Sequence, residues 1–427
     1  MKNINLYPAA ILLLLVPSYA SAQQPLSLKD CFKAALKRSE VLATQQELVV
    51  QAEENYHRAW GAVFPSINAS YTYFHQSGSD FTGSGNTSTS RGQQTLGITA
   101  DQPLFRGFSD FAAVHAAKAF VKAQQEARQW AGMQLYSDVA SAFYTSLAIQ
   151  KDLSVLDNEL DLYQKRTKEL QDRFSIGRSR TTEVLTVQSA QAILKAQREQ
   201  VLGQLEVARE VFVFLTGLDA ATPLDDTDQV PFGMGTLDSY QSQVSSRPDV
   251  KAAQKNVDAY KSNVSVARGA YLPSVDLISD YYGERPDRET NGAWDVEIAV
   301  TLPIFTGGTT TSKVRTAESQ KRQSEIQYAQ VQRMALEDVR SLYHDLKADL
   351  AQLAALQEAY NISEKNYKAN AQDYEYNLVT NLDVLQALTA YQDTERSLER
   401  VRYQAKIDYN QLEASVAHRL FLMKGLE

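Results

Sequence analysis

The side chains with chemistry to offer are mostly carboxylates, and their placement argues for electrostatics, not catalysis. Asp295 and Glu297 alternate with Trp294, Val296 and Ile298. Asp276 and Asp280 alternate with Val275, Leu277 and Tyr281, and Asp101 closes the run Leu96, Ile98, Ala100. Acids at every second residue line one side of a strand and leave the other side apolar. A wall of this kind can keep water beside it and attract cations. The other reactive types form no site. The five histidines (His57, His75, His115, His344, His418) are scattered without metal-ligand spacing. Cys31 is the one cysteine, which excludes an internal disulfide, and Lys29-Asp30 before it does not suit a lipidation box. Gly308-Thr309-Thr310-Thr311-Ser312-Lys313 lacks the second glycine of a phosphate loop, and no G-x-S-x-G elbow occurs. No catalytic, cofactor-binding or metal-binding residue is assigned, and no cofactor is expected.

The elements that position these acids are dominated by a rod. From Thr309 to Tyr376 the chain contains neither glycine nor proline, so a helix over this stretch would reach about 100 Å at ~1.5 Å per residue. Its apolar residues (Leu336, Val339, Tyr343, Leu346, Leu350, Leu353, Tyr360, Tyr367, Tyr374) step by three and four, as in helices packed along their length. A second stripe runs through Leu153, Leu156, Leu160, Tyr163, Thr167, Leu170 and Phe174. At the N-terminus Lys2, the apolar run Ala9 to Val16 and Ala20-Ser21-Ala22 read as a secretory signal over residues 1–22. No later stretch is apolar for long enough to cross a bilayer as a helix, so a membrane role would have to use strands. The formal charge of −8 speaks against a nucleic-acid partner.

Read in order, the chain carries its pattern twice. The first repeat spans 23–218: a helix over Leu26 to Val63, ended by Phe64-Pro65, a β-hairpin at 66–103 around a Ser/Gly/Thr-rich loop, a long helix at 107–172 and a helix at 182–215. Residues 219–246, with Pro223 and Pro231, read as a connector. The second repeat spans 247–427: a helix ended by Leu272-Pro273, a hairpin at 274–303, the rod at 309–376 and a helix at 382–418. Pro303-Ile304-Phe305-Thr306-Gly307 mirrors Pro103-Leu104-Phe105-Arg106-Gly107 two hundred positions earlier. The fold class expected is therefore mostly α with a membrane β part: long antiparallel coiled helices plus four strands of about 9–11 residues, the length of tilted membrane strands. Phe64, Phe74, Phe105, Tyr281, Tyr282, Trp294 and Phe305 gather at the strand ends, as suits membrane interfaces. Four strands cannot sit in lipid with open edges. Three copies would close a 12-stranded barrel, an even count in the range of known barrels, and the helices would continue it as an α-barrel. With Trp294, Val296 and Ile298 towards lipid, Asp101, Asp276, Asp280, Asp295 and Glu297 would face the lumen and favour cations. A trimeric coiled-coil tether or adhesin is the alternative, but it would carry its strands once, at one end. A diffusion porin would need many more strands per chain and no rod.

At these residues the chain resembles the TolC family of outer-membrane efflux ducts. The likeness covers the mature chain and rests on the duplicated order, the Phe64-Pro65 and Leu272-Pro273 entries, Arg247-Pro248-Asp249-Val250, and Phe174-Ser175-Ile176-Gly177-Arg178 followed by Glu183-Val184-Leu185. The resemblance implies a homotrimer in the outer membrane of a Gram-negative bacterium, extending into the periplasm. It implies a passive duct for tripartite efflux or type I secretion, partnered by a periplasmic adaptor (a membrane fusion protein) and, through it, an inner-membrane pump. It also implies that Phe174, Ile176, Gly177 and Arg178 form an adaptor-docking turn. Asn377-Leu378 stands at the second turn of the same docking tip, where the family pattern has a glycine-containing turn. The pore aperture would use Tyr374, Asp383 and Glu183. Val379 replaces the family's arginine and Gln386 its second aspartate, which implies a reduced or rebuilt closing network. Asp383 also has capping-box spacing from Thr380, and the two roles are compatible.

Overall fold

The computed structural model describes residues 25–75, 92–226, 234–286 and 292–416. The signal sequence, most of the Ser/Gly/Thr-rich loop, part of the connector and the expected helix end near His418 lie outside them. The elements run α1 (Leu28–Arg38), α2 (Glu40–Gly61), β1 (Ser66–His75), β2 (Gly92–Arg106), α3 (Ser109–Ser175) and α4 (Thr181–Thr216). The connector holds short α5 (Leu237–Gln241) and a 3-10 turn (Val244–Ser246). Then come α6 (Pro248–Gly269), β3 (Ser274–Glu284), β4 (Trp294–Thr301), α7 (Thr309–Glu375) and α8 (Asn381–Ser415).

The two rods have equal length, 67 residues each, so each is about 100 Å long. Gly132 is buried inside α3, and the helix runs through it unbroken. The heptad residues do the packing. Leu156, Tyr163 and Leu170 of α3, and Val339, Leu346 and Leu353 of α7, are buried at seven-residue steps. The α3 set meets Val187 and Leu194 of α4 and Val384 and Leu388 of α8. The α7 set Val339 and Leu346 meets Ala405 and Leu412 of α8. Each fully buried leucine contributes roughly 1.5–3 kcal/mol, so the coil is stabilised layer by layer along its length.

The first helix differs from expectation. Ser39 breaks it in two with extended backbone (φ −60°, ψ 110°). Its N–H bonds to Ala35 O as the C-cap of α1, and its Oγ accepts from Leu42 N at 3.3 Å as the N-cap of α2. Lys37-Arg38 before it and Glu40 after it complement the two helix ends.

The four strands form one antiparallel sheet in the order β1-β2-β3-β4, so β1 and β4 are its edges. β2 extends past Pro103, where the expected hairpin ends, because Phe105 and Arg106 pair with Val275 and Ser274 of β3. The register shifts between Pro103 and Phe105 and leaves Leu104 without a partner on β3, a bulge directly after a residue that has no N–H to give the ladder. The equivalent Pro303-Ile304-Phe305 follows an edge strand and has no such neighbour; β4 stops at Thr301, and Ile304 is 94% exposed. Where β2 hands over to α3, Gly107 has φ +62°, and a Cβ there would lie 2.3 Å from Gly269 O. Only glycine lets the end of α6 approach so closely.

Arg247 fastens the start of the second half. It is buried, donates to Asp249 (2.9 Å), Asp338 (3.2 Å) and Ala335 O (3.3 Å), and its guanidinium lies 4.5 Å from the Trp130 ring centre. One side chain thus ties α6 to α7 and α3.

Candidate functional site

Two regions collect the candidate residues: the sheet at one end of the rods and the two helical turns at the other. In the sheet, cross-strand partners share a face. Thr99 pairs with Asp280, which pairs with Asp295; Asp101 pairs with Ile278, which pairs with Glu297; Pro103 pairs with Asp276. All five acids therefore lie on one face, together with Ser66, Asn68, Ser70 and Thr72 of β1. The opposite face carries Ile67, Tyr71, Leu96, Ile98, Leu277, Tyr281, Trp294, Val296, Ile298 and Val300. Most of these are exposed, Trp294 to 68% and Val300 to 64%. Two aromatic residues depart from the expected division. Phe74 pairs with Gln93, and Tyr282 with Gly97, which puts both on the acidic side; strand parity, not aromatic character, decides the face.

The acidic face is partly neutralised. Arg106 Nη2 lies 3.2 Å from Asp276 Oδ1, and Arg285 Nη1 lies 3.2 Å from Asp295 Oδ2. Arg285 also stacks over Tyr282 at 4.2 Å. Thr99 Oγ1 donates to Asp280, while Asp101 Oδ1 is buried with no hydrogen-bond partner among the described residues. Glu297 is exposed and appears in no ion pair among the described residues. The two arginines have no periodic signature in the sequence; only the register brings them onto this face.

At the other end the two turns have the same backbone. Gly177 (φ +75°) donates to Phe174 O at 3.0 Å and Arg178 N donates to Arg173 O at 2.8 Å. Asn377 (φ +58°) donates to Tyr374 O at 3.1 Å and Leu378 N donates to Asp373 O at 2.9 Å. The missing glycine of the second turn is thus made good by asparagine, the residue that most readily joins glycine in the left-handed region. A Cβ at Gly177 would meet nothing within 4 Å, so conformation alone calls for glycine there. Phe174, Ile176, Arg178, Asn377 and Leu378 are all exposed, and Leu378 is 72% so.

Behind the turns, Tyr374 is buried beneath two arginines of α3. The Arg166 and Arg173 guanidinium carbons lie 3.9 and 4.6 Å from its ring centre. Arg166 also donates to Asn381 Oδ1 at 3.0 Å and to Glu169 Oε2 at 2.7 Å, and Glu169 Oε1 lies 3.1 Å from Arg173. Burial raises the Tyr374 phenol above its usual pKa, with Arg166 opposing, so it stays neutral and its ring stays a good cation acceptor. The sequence marks Arg166 and Arg173 only by their seven-residue spacing; the fold is what brings both onto Tyr374. Asp383 faces its own cap instead. Its Oδ2 accepts from Thr380 N at 2.7 Å and Thr380 Oγ1 at 2.6 Å, and Asp383 N completes a capping box. The Thr380 hydroxyl holds this carboxyl below its ordinary range. Glu183 accepts from Ser179 Oγ at 2.6 Å. Among the described residues no group of His, Cys, Asp and Glu could hold a metal ion.

Comparison with known proteins gives a consistent picture. The family described as "Outer membrane efflux protein" matches residues 32–218 and 239–418. The chain is 25% identical over 397 residues to the outer membrane efflux protein BepC of Brucella suis biovar 1, covering 90% of this chain and 83% of that one. It is 25% identical to the outer membrane protein TolC of Vibrio cholerae, over 75% of this chain and 76% of that one. It is also 25% identical to the cation efflux system protein CusC of Escherichia coli K12, over 76% and 71%. Among solved structures, CusC superposes with a TM-score of 0.80 at 19% identity, covering 93% of this chain and 95% of that one. The outer membrane protein VceC of Vibrio cholerae gives 0.78 at 19% identity, covering 91% and 95%.

Proposed function

The chain belongs to the outer membrane efflux protein family, whose members are outer-membrane channels and not enzymes, and from that premise we propose that it is one third of a passive export duct. The observation that carries this reading is the sheet. One of its faces is apolar and exposed, the other is acidic and polar, and both edges lack a partner among the described residues. In lipid an open edge would leave backbone N–H and C=O groups unpaired, each at a cost of several kcal/mol. Three copies joined edge to edge make a closed 12-stranded barrel, with Trp294, Val296 and Ile298 outside and Asp101, Asp276, Asp280, Asp295 and Glu297 in the lumen. Ile193, Val207 and Phe214 on α4 are exposed at multiples of seven residues, with Gln200 at the step between the first two, which supports a matching contact between copies along the helices.

The rods then run about 100 Å from the barrel into the periplasm, and the two halves of the chain act as repeats of one unit. The exposed residues Phe174, Ile176, Arg178, Asn377 and Leu378 form the tip that a periplasmic adaptor engages, and through the adaptor an inner-membrane pump delivers cargo. The shared backbone of the two turns supports docking at both. Tyr374, clasped by Arg166 and Arg173, holds the aperture, with Glu183 and the Asp383 cap beside it. Cargo selection in this reading belongs to the pump, in tripartite efflux or type I secretion.

Two measurements test this. Outer-membrane fractions should contain a trimer that dissociates only on heating, and deletion of Ile176-Gly177 should abolish export while leaving that trimer inserted. A water-soluble single copy would overturn the barrel, and export retained in the deletion would overturn docking at the first turn.

A further inference from the structure

Part-way along the α7–α8 coil, two carboxylates meet. Asp349 of α7 acts directly on Asp408 of α8, and Asp345, one turn before Asp349, adds a third acid. Asp408 is buried, and its Oδ1 accepts from Gln404 Nε2 at 2.8 Å. Asp349 Oδ2 is sealed from solvent and receives no hydrogen bond from a donor among the described residues. A buried carboxylate oxygen without a donor is costly. Placed against a second carboxylate, it is satisfied by one proton: the protonated acid becomes a donor and the like-charge repulsion disappears. The groups bearing on the pair are Asp345 from α7 and Gln404 from α8, and neither is a cation that could offset two negative charges. We infer that Asp349 and Asp408 share a single proton that fastens α7 to α8, so the coil tightens in acid and loosens as the pH rises.

The direction of titration agrees. Burial, followed by the Asp408 charge, pushes Asp349 up to about 6, and burial raises Asp408 as well. A carboxyl raised in the folded state contributes stability that is complete below its ordinary range and is lost as the pH rises through about 6. Asp349 is only half-buried, so the change expected in the local opening equilibrium is roughly tenfold. The link to the duct rests on the channel reading, because α7 and α8 carry the second turn; the shared proton does not depend on it.

Hydrogen exchange on the full chain in detergent, from pH 5 to 8 and corrected for the intrinsic rate, tests the inference. In the wild type, opening around residues 345–353 and 404–412 should rise roughly tenfold between pH 5 and 7.5. Asp349→Asn, whose amide donates permanently, should exchange slowly and without pH dependence. If that variant does not fold, Asp408→Asn serves the same purpose. A flat wild-type profile, or the same slope in wild type and variant, overturns the shared proton. Exchange that switches while conductance in planar bilayers does not respond to pH supports the proton and overturns its link to the duct.

Discussion

Removing Arg166 is the sharpest test of the clasp behind the tip. Its side chain is only 11% exposed, and it makes three contacts at once. Stacking on the buried Tyr374 ring at 3.9 Å is worth roughly 1–2 kcal/mol when desolvated. The charged hydrogen bond to the buried Asn381 Oδ1 adds about 1.5–3 kcal/mol. The link to the more exposed Glu169 adds about 0.5 kcal/mol or less. Arg166→Ala should therefore cost roughly 2–4 kcal/mol locally, with Arg173 at 4.6 Å keeping some of the stacking. Exchange of amides near 374–384 should accelerate by about 30- to 1,000-fold, since each 1.4 kcal/mol is tenfold, and single-channel conductance should rise if the clasp holds the aperture. Tyr374→Leu isolates the ring: paired with Arg166→Ala, the double mutant should show about 1 kcal/mol of coupling. Tyr374→Phe keeps the ring and should behave like wild type. Additive single-mutant effects, or conductance that ignores both Arg166→Ala and Tyr374→Leu, would refute the clasp.

At the second turn, Asn377→Gly should be neutral while Asn377→Val should lose about 1–2 kcal/mol because φ is +58°, read as a lower dissociation temperature of the oligomer. Glu159 is buried beside Arg396, Asp393 and Glu395, and burial pushes it up to about 7. Its folded value lies above its ordinary one, so the thermal midpoint should fall as pH rises from about 4.5 through 7, and Glu159→Gln should remove that fall, worth up to roughly 3 kcal/mol. In the barrel, Arg106→Gln frees Asp276 from its ion pair and should strengthen cation preference, whereas Glu297→Gln should weaken it; reversal potentials under a salt gradient measure both, and opposite signs would refute the lumenal placement of the acids.

Much of the architecture is legible in local pattern. The rods follow from long stretches without proline and with seven-step apolar spacing, and the buried Leu156, Tyr163 and Leu170 lie on the stripe that spacing defines. The common face of the five acids follows from parity, because a period of two leaves no other choice once the register is set. Periodicity is a property of one segment's own backbone geometry, so it needs no knowledge of neighbours. The break at Ser39 was also local, written in Lys37-Arg38-Ser39-Glu40, but the stronger apolar pattern around it concealed it. What the fold alone decided are the pairings between segments far apart in the chain: Arg166 and Arg173 on Tyr374, Arg106 on Asp276, Asp349 against Asp408. Asn377 belongs with them, since its side chain only permits a left-handed residue, and the antiparallel return of α8 against α7 demands one. Such contacts depend on which helices and strands are brought side by side, and that choice is made by the summed burial of the whole coil and the closing of backbone hydrogen bonds across the sheet, quantities no single stretch of sequence carries.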